Sequence, residues 1–245
     1  MTMLGERDKH IQEALVVRID PTGNDKLAAN LDPKDQKLFQ YYKEIAKKSK
    51  MHDFDEVVLI IAVTPWEYFG ANDNGDAMFS KNFYKIRENG TLPKTVKSFE
   101  TKAMPSRNHQ YQDPSKSIGT ILSAVYHEKY KRCEVLVRYD WKKATKECLT
   151  IRRGKSLVTS MGYRIYSPEL PPESGEFCSL CGKHARRTSD RCSHLASLVG
   201  HVVDGVPVFM MNGLGFFVDL SRVAVPGDFN SRSVWRVPNE AVDGE

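Results

Sequence analysis

The run Ile118-Gly-Thr-Ile-Leu-Ser-Ala-Val-Tyr-His127 leads through the charged turn Glu128-Lys-Tyr-Lys-Arg132 into Cys133-Glu-Val-Leu-Val-Arg-Tyr139. Two β-patterned segments parted by a short polar turn read as a β-hairpin, and this hairpin sets the class of the fold. Downstream, Trp141 to Arg153 has helical period and stops at Gly154. Leu157 to Tyr166 reads as another strand, broken by Pro168, Pro171, Pro172 and Gly175. His201 to Met210 predicts a hairpin turning at Asp204-Gly205, and Gly215 to Val225 a last strand before a polar, extended tail. Upstream, Val57 to Val63 is a buried strand by its unbroken apolar run. Before it, Asp32 caps a helix with Pro33 at the first position and Lys47, Lys48 and Lys50 toward its end, where cations suit the dipole. Met78 to Glu88 predicts a further helix, closed by Asn89-Gly90. There are no internal repeats. The sum is a strand-dominated α+β domain over 31–228, with a polar arm at 1–30, a small insert at 177–195 and a tail at 229–245.

The chain has 245 residues, 40% hydrophobic and 27% charged, enough apolar content to bury a core and exclude wholesale disorder. No apolar run approaches a membrane span, and the first residues lack the apolar stretch of a secretory signal. A soluble protein of the cytoplasm is therefore expected, with no membrane partner. The net charge of +5 is mild, and basic runs are short (Lys47-Lys48-Ser49-Lys50, Arg152-Arg153, Arg186-Arg187). They read as solvated surface, so nucleic acid is not the expected partner.

Five cysteines make an odd count, which argues against a fully paired disulfide framework. Cys178-Ser-Leu-Cys181-Gly and, ten residues on, Cys192-Ser-His194 instead have metal-ligand spacing. Three thiolates and one imidazole make a closed, four-coordinate structural zinc site, with His184 as an alternative fourth ligand. A segment so poor in apolar residues needs such a staple. Cys133 and Cys148, in a strand and a helix, read as small buried hydrophobes. Asn72-Asp73-Asn74-Gly75-Asp76 opens like a calcium loop, but Phe83 stands where its twelfth-position Glu belongs, so it reads as a turn.

Three further segments carry candidate chemistry. Asn108-His109-Gln110 precedes Ile118-Gly119; Thr159-Ser160-Met161-Gly162 lies within a strand; Asp219 interrupts the apolar run Phe216-Phe217-Val218. A serine beside a small glycine can present its hydroxyl to a substrate backbone, but a lone histidine is more often structural. A carboxylate within an apolar strand must be paired or hydrogen-bonded, and Arg222 is one partner at hand.

Taken in order, Asn108-His109, Ile118-Gly119, Ser160-Met161-Gly162 and Asp219-Leu220-Ser221-Arg222-Val223 through Pro226 resemble the prohead maturation proteases of tailed bacteriophages. That family shares its catalytic fold with herpesvirus assemblin, and some large-phage members carry a similar Cys-x-x-Cys-Gly…Cys-x-His-Leu insert. The resemblance covers roughly 55–228. It departs at Gln110, where many relatives have an acidic residue or a second histidine, and in the long insert ahead of Asp219. It implies a barrel-like domain with peripheral helices, Ser160 as nucleophile, His109 as general base and Asp219 as the orienting acid. In assemblin a histidine holds the third place, so His201 and His194 compete for it here, and Arg164 or Arg222 are candidate oxyanion donors. The implied partners are a phage scaffold or core protein, the major capsid protein and further copies of the chain, inside the assembling prohead in the host cytoplasm. A non-catalytic virion structural protein on the same fold is the alternative.

Overall fold

β1 (Glu56–Val63) is buried along its whole length, which explains its unbroken apolar sequence: both of its faces meet a core. Val58, Ile60 and Ala62 face one apolar cluster, shared with Val135, Val137, Phe99, Phe217 and Leu220. Val57, Leu59 and Ile61 face the other, which α1 (Pro33–Ser49) covers with Tyr42 and Ala46. This computed structural model describes residues 33–49, 52–84 and 95–237; the expected N-terminal arm lies outside them.

The remaining helices are the short α2 (Trp66–Phe69), α3 (Ser80–Tyr84) and α4 (Ser98–Thr101), then α5 (Trp141–Arg152) and α6 (Ser193–Ser197). Between them run β2 (Asp76–Met78), β3 (Met104–Arg107), β4 (Gly119–His127), β5 (Arg132–Tyr139), β6 (Thr159–Arg164), β7 (Glu176–Cys178), β8 (His184–Ala185), β9 (Val202–Val203), β10 (Val206–Pro207), β11 (Met210–Asn212), β12 (Phe216–Arg222) and β13 (Arg232–Val237). No helix of the described residues is long and apolar enough to cross a membrane.

The hairpin read from 118–139 is present as β4–β5, inside an antiparallel sheet of order β13-β1-β5-β4. A second sheet, β3-β12-β6, packs against its inner face, with β12 parallel to β3 and antiparallel to β6. The two sheets are stitched at both margins: Val158 bridges Arg232, and the Ile118 N–H donates to the Pro105 carbonyl at 3.0 Å. Strand-dominated α+β architecture is thus present. The paired strands of the described residues form separate sheets and no closed barrel.

A third sheet, β2-β11-β7-β8, carries the cysteine-rich excursion between β6 and β12. The β9–β10 hairpin turns at Asp204-Gly205 as read, with φ of 50° and 79° at those residues.

Two readings need correction. The helix expected from Met78 is confined to Ser80–Tyr84 within the described residues, because Asp76–Met78 is drawn into parallel pairing with β11. The tail expected at 229–245 contains β13, which pairs along β1 and buries Val234 and Val237. Its sequence does not alternate polar and apolar residues; a register shift opposite Leu59 and Ile60 lets Val234 and Val237 both reach the α1 core.

Candidate functional site

β12 alternates its loyalties. Phe217 and Leu220 enter the core, while a bulge between Phe217 and Asp219 turns Asp219 and Ser221 to the opposite face. On that face Ser221 lies opposite Ser160 of β6 and Ser106 of β3, so three hydroxyls share one row across three strands. Asp219 lies opposite Gly162. A Cβ at position 162 would sit 3.0 Å from the Asp219 Cβ, so a side chain there would crowd Asp219.

His109 arrives from the end of β3. Asn108 and His109 both hold positive φ, 49° and 58°, a costly pair of left-handed residues that a surrounding structure must enforce. The Asn108 N–H donates to the Arg222 carbonyl at 3.1 Å, and the His109 N–H donates to Ser221 Oγ at 2.9 Å. Just before the turn, Arg107 is clamped to Glu147 of α5 through Nε at 2.9 Å and Nη2 at 2.6 Å.

This loop delivers the imidazole onto the sheet, with Nδ1 2.6 Å from Asp219 Oδ2. Asp219 is fully buried, whereas the His109 side chain is 45% exposed. Ser106 Oγ lies 2.9 Å from Asp219 Oδ1, and Ser221 Oγ lies 2.8 Å from Oδ2. The buried carboxylate is therefore satisfied by two hydroxyls and an imidazole, and His109 is its ionic partner in place of Arg222.

Ser160 is 9% exposed. It lines an open cleft of about 530 Å³ together with Tyr111, Gly162, Arg164, Asp76, Glu176 and Arg191. No hydrogen bond joins its hydroxyl to the His109 imidazole among the described residues. Contacts of this kind are commonly long before a substrate is bound. Of the two arginines read as oxyanion donors, Arg164 is on the cleft wall and Arg222 is not. His201, the sequence rival for the third position, is exposed at the base of the β9–β10 hairpin, and Nδ1 of His109 is already taken by Asp219.

The cysteine cluster forms beside this cleft. Cys178 ends β7, Cys181 precedes a tight turn at Gly182 (φ 70°), and Cys192 precedes α6, which carries His194. The ligand atoms of Cys178, Cys181, Cys192 and His194 all lie within 4.8 Å of one another. Cys181 Sγ to Cys192 Sγ is 3.6 Å, and Cys178 Sγ to His194 Nδ1 is 3.8 Å. A tetrahedral ion with ~2.3 Å bonds to sulfur has edges of about 3.8 Å, so this set could hold a metal ion. Burial raises the Cys192 thiol, but the backbone N–H groups of Leu195 and His194 and the neighbouring thiols outweigh it and leave the group below its ordinary value. The Cys178 thiol moves the other way, raised by burial and by its contacts with Cys181 and Cys192. His184 is engaged elsewhere: its ring stacks on Phe177 at 4.2 Å and its Nε2 lies 2.7 Å from the Ser174 carbonyl oxygen.

Sequence reading missed Ser106 and the Glu176–Arg191 pair, whose N–O distances of 2.5 and 2.7 Å link the cysteine cluster to the cleft. Ser221 was visible only as a motif letter. Its spacing of two from Asp219 on a strand was the available signal, since such residues share a face. No protein-family model, curated protein or solved structure matches this chain.

Proposed function

We propose that the chain is a serine endopeptidase of tailed-phage head maturation, which cuts scaffold or core protein and capsid-protein segments inside the assembling prohead. The observation that carries this reading is the His109–Asp219 contact of 2.6 Å on the sheet face that presents Ser160. In the mechanism so read, His109 Nε2 accepts the Ser160 proton as Oγ attacks the scissile carbonyl carbon, and returns it to the leaving amine. A water then attacks the acyl-enzyme by the same route in reverse. Asp219 fixes the tautomer with the proton on Nδ1 and stabilises the imidazolium. The two stitched margins between the main sheets support the finer reading of an assemblin-type, barrel-like domain. Host-cytoplasmic location, binding to scaffold and major capsid proteins, and self-association follow from the same reading. The mild positive charge suits an acidic scaffold.

The ion for the cysteine cluster is zinc in this reading, held by Cys178, Cys181, Cys192 and His194. Three thiolates and an imidazole complete its coordination and leave no position for a reactive water, so it supplies structure and no chemistry.

One observation favours a non-catalytic virion protein: the Ser160 hydroxyl and His109 imidazole are not hydrogen-bonded. Cleavage of scaffold protein by the wild type and by Ser160→Ala decides between the two. Loss of cutting with the fold retained, together with labelling of Ser160 alone by a serine-directed phosphonate, is the expected result. Equal cutting by both proteins removes Ser160 from the mechanism.

A further inference from the structure

We propose that Ser221 is the positioning residue of this site: its one hydroxyl fixes both the backbone of His109 and the carboxylate of Asp219. The catalytic part of this inference rests on the protease reading; the positioning part does not.

Five contacts meet at Ser106, Asp219 and Ser221. Ser221 Oγ accepts the His109 N–H at 2.9 Å, approaches Asp219 Oδ1 and Oδ2 at 2.9 and 2.8 Å, and lies 2.6 Å from Ser106 Oγ. Ser106 Oγ in turn lies 2.9 Å from Asp219 Oδ1. Two hydroxyl protons must serve these oxygens, and an ionised carboxylate donates nothing. Three arrangements share these two protons: Ser106 donates to Ser221 and Ser221 to Asp219, Ser221 donates to Ser106 and Ser106 to Asp219, or both donate to Asp219. In each, Ser221 is the acceptor for the His109 N–H. All three side chains are buried, so water does not replace a lost partner cheaply.

The consequence follows from the loop. His109 at φ 58° and Asn108 at φ 49° are strained, and the loop must be held from outside. The Asn108 N–H is held by a main-chain carbonyl that any residue at position 222 provides. The His109 N–H is held by a side chain, so this second anchor depends on a hydroxyl at 221. That anchor stands next to the carboxylate the imidazole must meet. Ser221 therefore sets where His109 Nδ1 falls relative to Asp219, without touching the imidazole ring or the cleft.

The test compares wild type with Ser221→Ala and Ser106→Ala, using protein labelled with ¹⁵N at histidine. In wild type the His109 amide should exchange slowly although its side chain is half exposed, and its Nδ1 proton should give a slowly exchanging downfield resonance. Ser221→Ala should lose both signals and lower kcat/KM for scaffold cleavage by roughly 10- to 100-fold, the range expected for taking away the buried acceptor that holds the His109 N–H and a hydroxyl partner of the buried Asp219. The loss should fall on kcat and change the pH profile, since the base is displaced and the cleft is not. Ser106→Ala should keep the amide protected. Free exchange of the His109 amide in the wild type overturns the proposal even where Ser221→Ala fails to fold. An unchanged Nδ1 resonance and pH profile in a folded Ser221→Ala overturns it equally. If both signals behave as expected and phosphonate leaves Ser160 unlabelled, the positioning role stands and the protease reading falls.

Discussion

Asp219 is the residue on which the site turns, because a carboxylate with no exposure is tolerable only when fully partnered. Its partners determine what its loss does. Asp219→Asn keeps the shape but places an amide N–H₂ or a weaker acceptor at Nδ1, favouring the wrong tautomer. In a Ser-His-Asp enzyme that change costs on the order of 10⁴ in kcat. His201→Ala should cost little, since His201 lies exposed on the excursion. Turnover and melting temperature measured on both variants test this; full activity in Asp219→Asn with loss in His201→Ala transfers the third role to His201. Asp219 within an apolar run announces a buried carboxylate, for which Arg222 or another arginine is one candidate partner. The strand geometry rules Arg222 out, since residues three apart on a strand face opposite sides. His109 was equally visible, but its meeting with Asp219 depends on the parallel pairing of β3 with β12, more than a hundred residues apart, and no local pattern encodes that.

At the scale of elements, two joints hold the site. The first is Arg107 of β3 against Glu147 of α5. Burial alone would raise the Glu147 carboxyl, but hydrogen bonds from Arg107 and its charge carry it below its ordinary value of 4.5. A folded value below the unfolded one means that the stabilisation is complete above about pH 4.5 and is lost as pH falls through the folded value. Glu147→Gln should remove that part of the acid dependence. It should cost about 1–2 kcal/mol at neutral pH, since Arg107 is partly exposed and water receives it when it is released. Denaturant melts at a series of acidic pH values check this; an unchanged pH dependence in the variant contradicts it. The second joint is the cysteine cluster. Metal removal by chelator, or Cys181→Ser, should open 177–195 to proteolysis while β1 stays protected, because β1 is held by two apolar clusters that the excursion does not share. Elemental analysis of anaerobically purified protein should give one zinc per chain, and metal-free protein with 177–195 still resistant refutes the staple. The Cys-x-x-Cys spacing made this element readable without any fold. The β2 strand was unreadable for the opposite reason: Asp76-Ala77-Met78 has no strand pattern of its own and is extended only because β11 lies beside it.

The whole molecule is organised around β1, and its far edge is closed by the last strand of the described chain. The sequence marks β1 through its apolar run, whereas β13 hides in Arg232-Ser-Val-Trp-Arg-Val237, where polar residues dilute the signal and follow a proline-marked turn. Its role is visible only in the pairing: β13 runs antiparallel along β1, contributes Val234 and Val237 to the α1 core and sets Trp235 against Phe39 with ring centroids 4.6 Å apart. Arg236 also reaches back to the buried Glu56, with Nε 2.7 Å from Oε2. Beyond its own sheet, β13 meets the start of β6: Ser233 N–H donates to the Leu157 carbonyl at 2.9 Å, and Thr159 N–H to that of Ser231 at 3.1 Å. The strand that carries Ser160 is therefore hydrogen-bonded to the first sheet through β13 at this margin. A chain ended at Asp228 should lose its cooperative thermal transition, because it exposes the β1 edge, uncovers the α1 core and takes one arginine from a buried carboxylate. Glu56 keeps Arg152, whose Nε lies 2.5 Å from Oε1, so the loss of Arg236 costs less than the about 3–5 kcal/mol of stranding a buried charge, yet it still draws on the roughly 5–15 kcal/mol that holds a domain together. Arg236→Met separates the contributions, since it breaks the ion pair but keeps the strand. It should lower the melting temperature while leaving Ser160 in register and turnover per folded molecule unchanged. Circular dichroism melts of the two variants, read beside phosphonate labelling of Ser160, make the comparison. A truncated chain that melts cooperatively and still labels at Ser160 shows that β6 finds its place without β13.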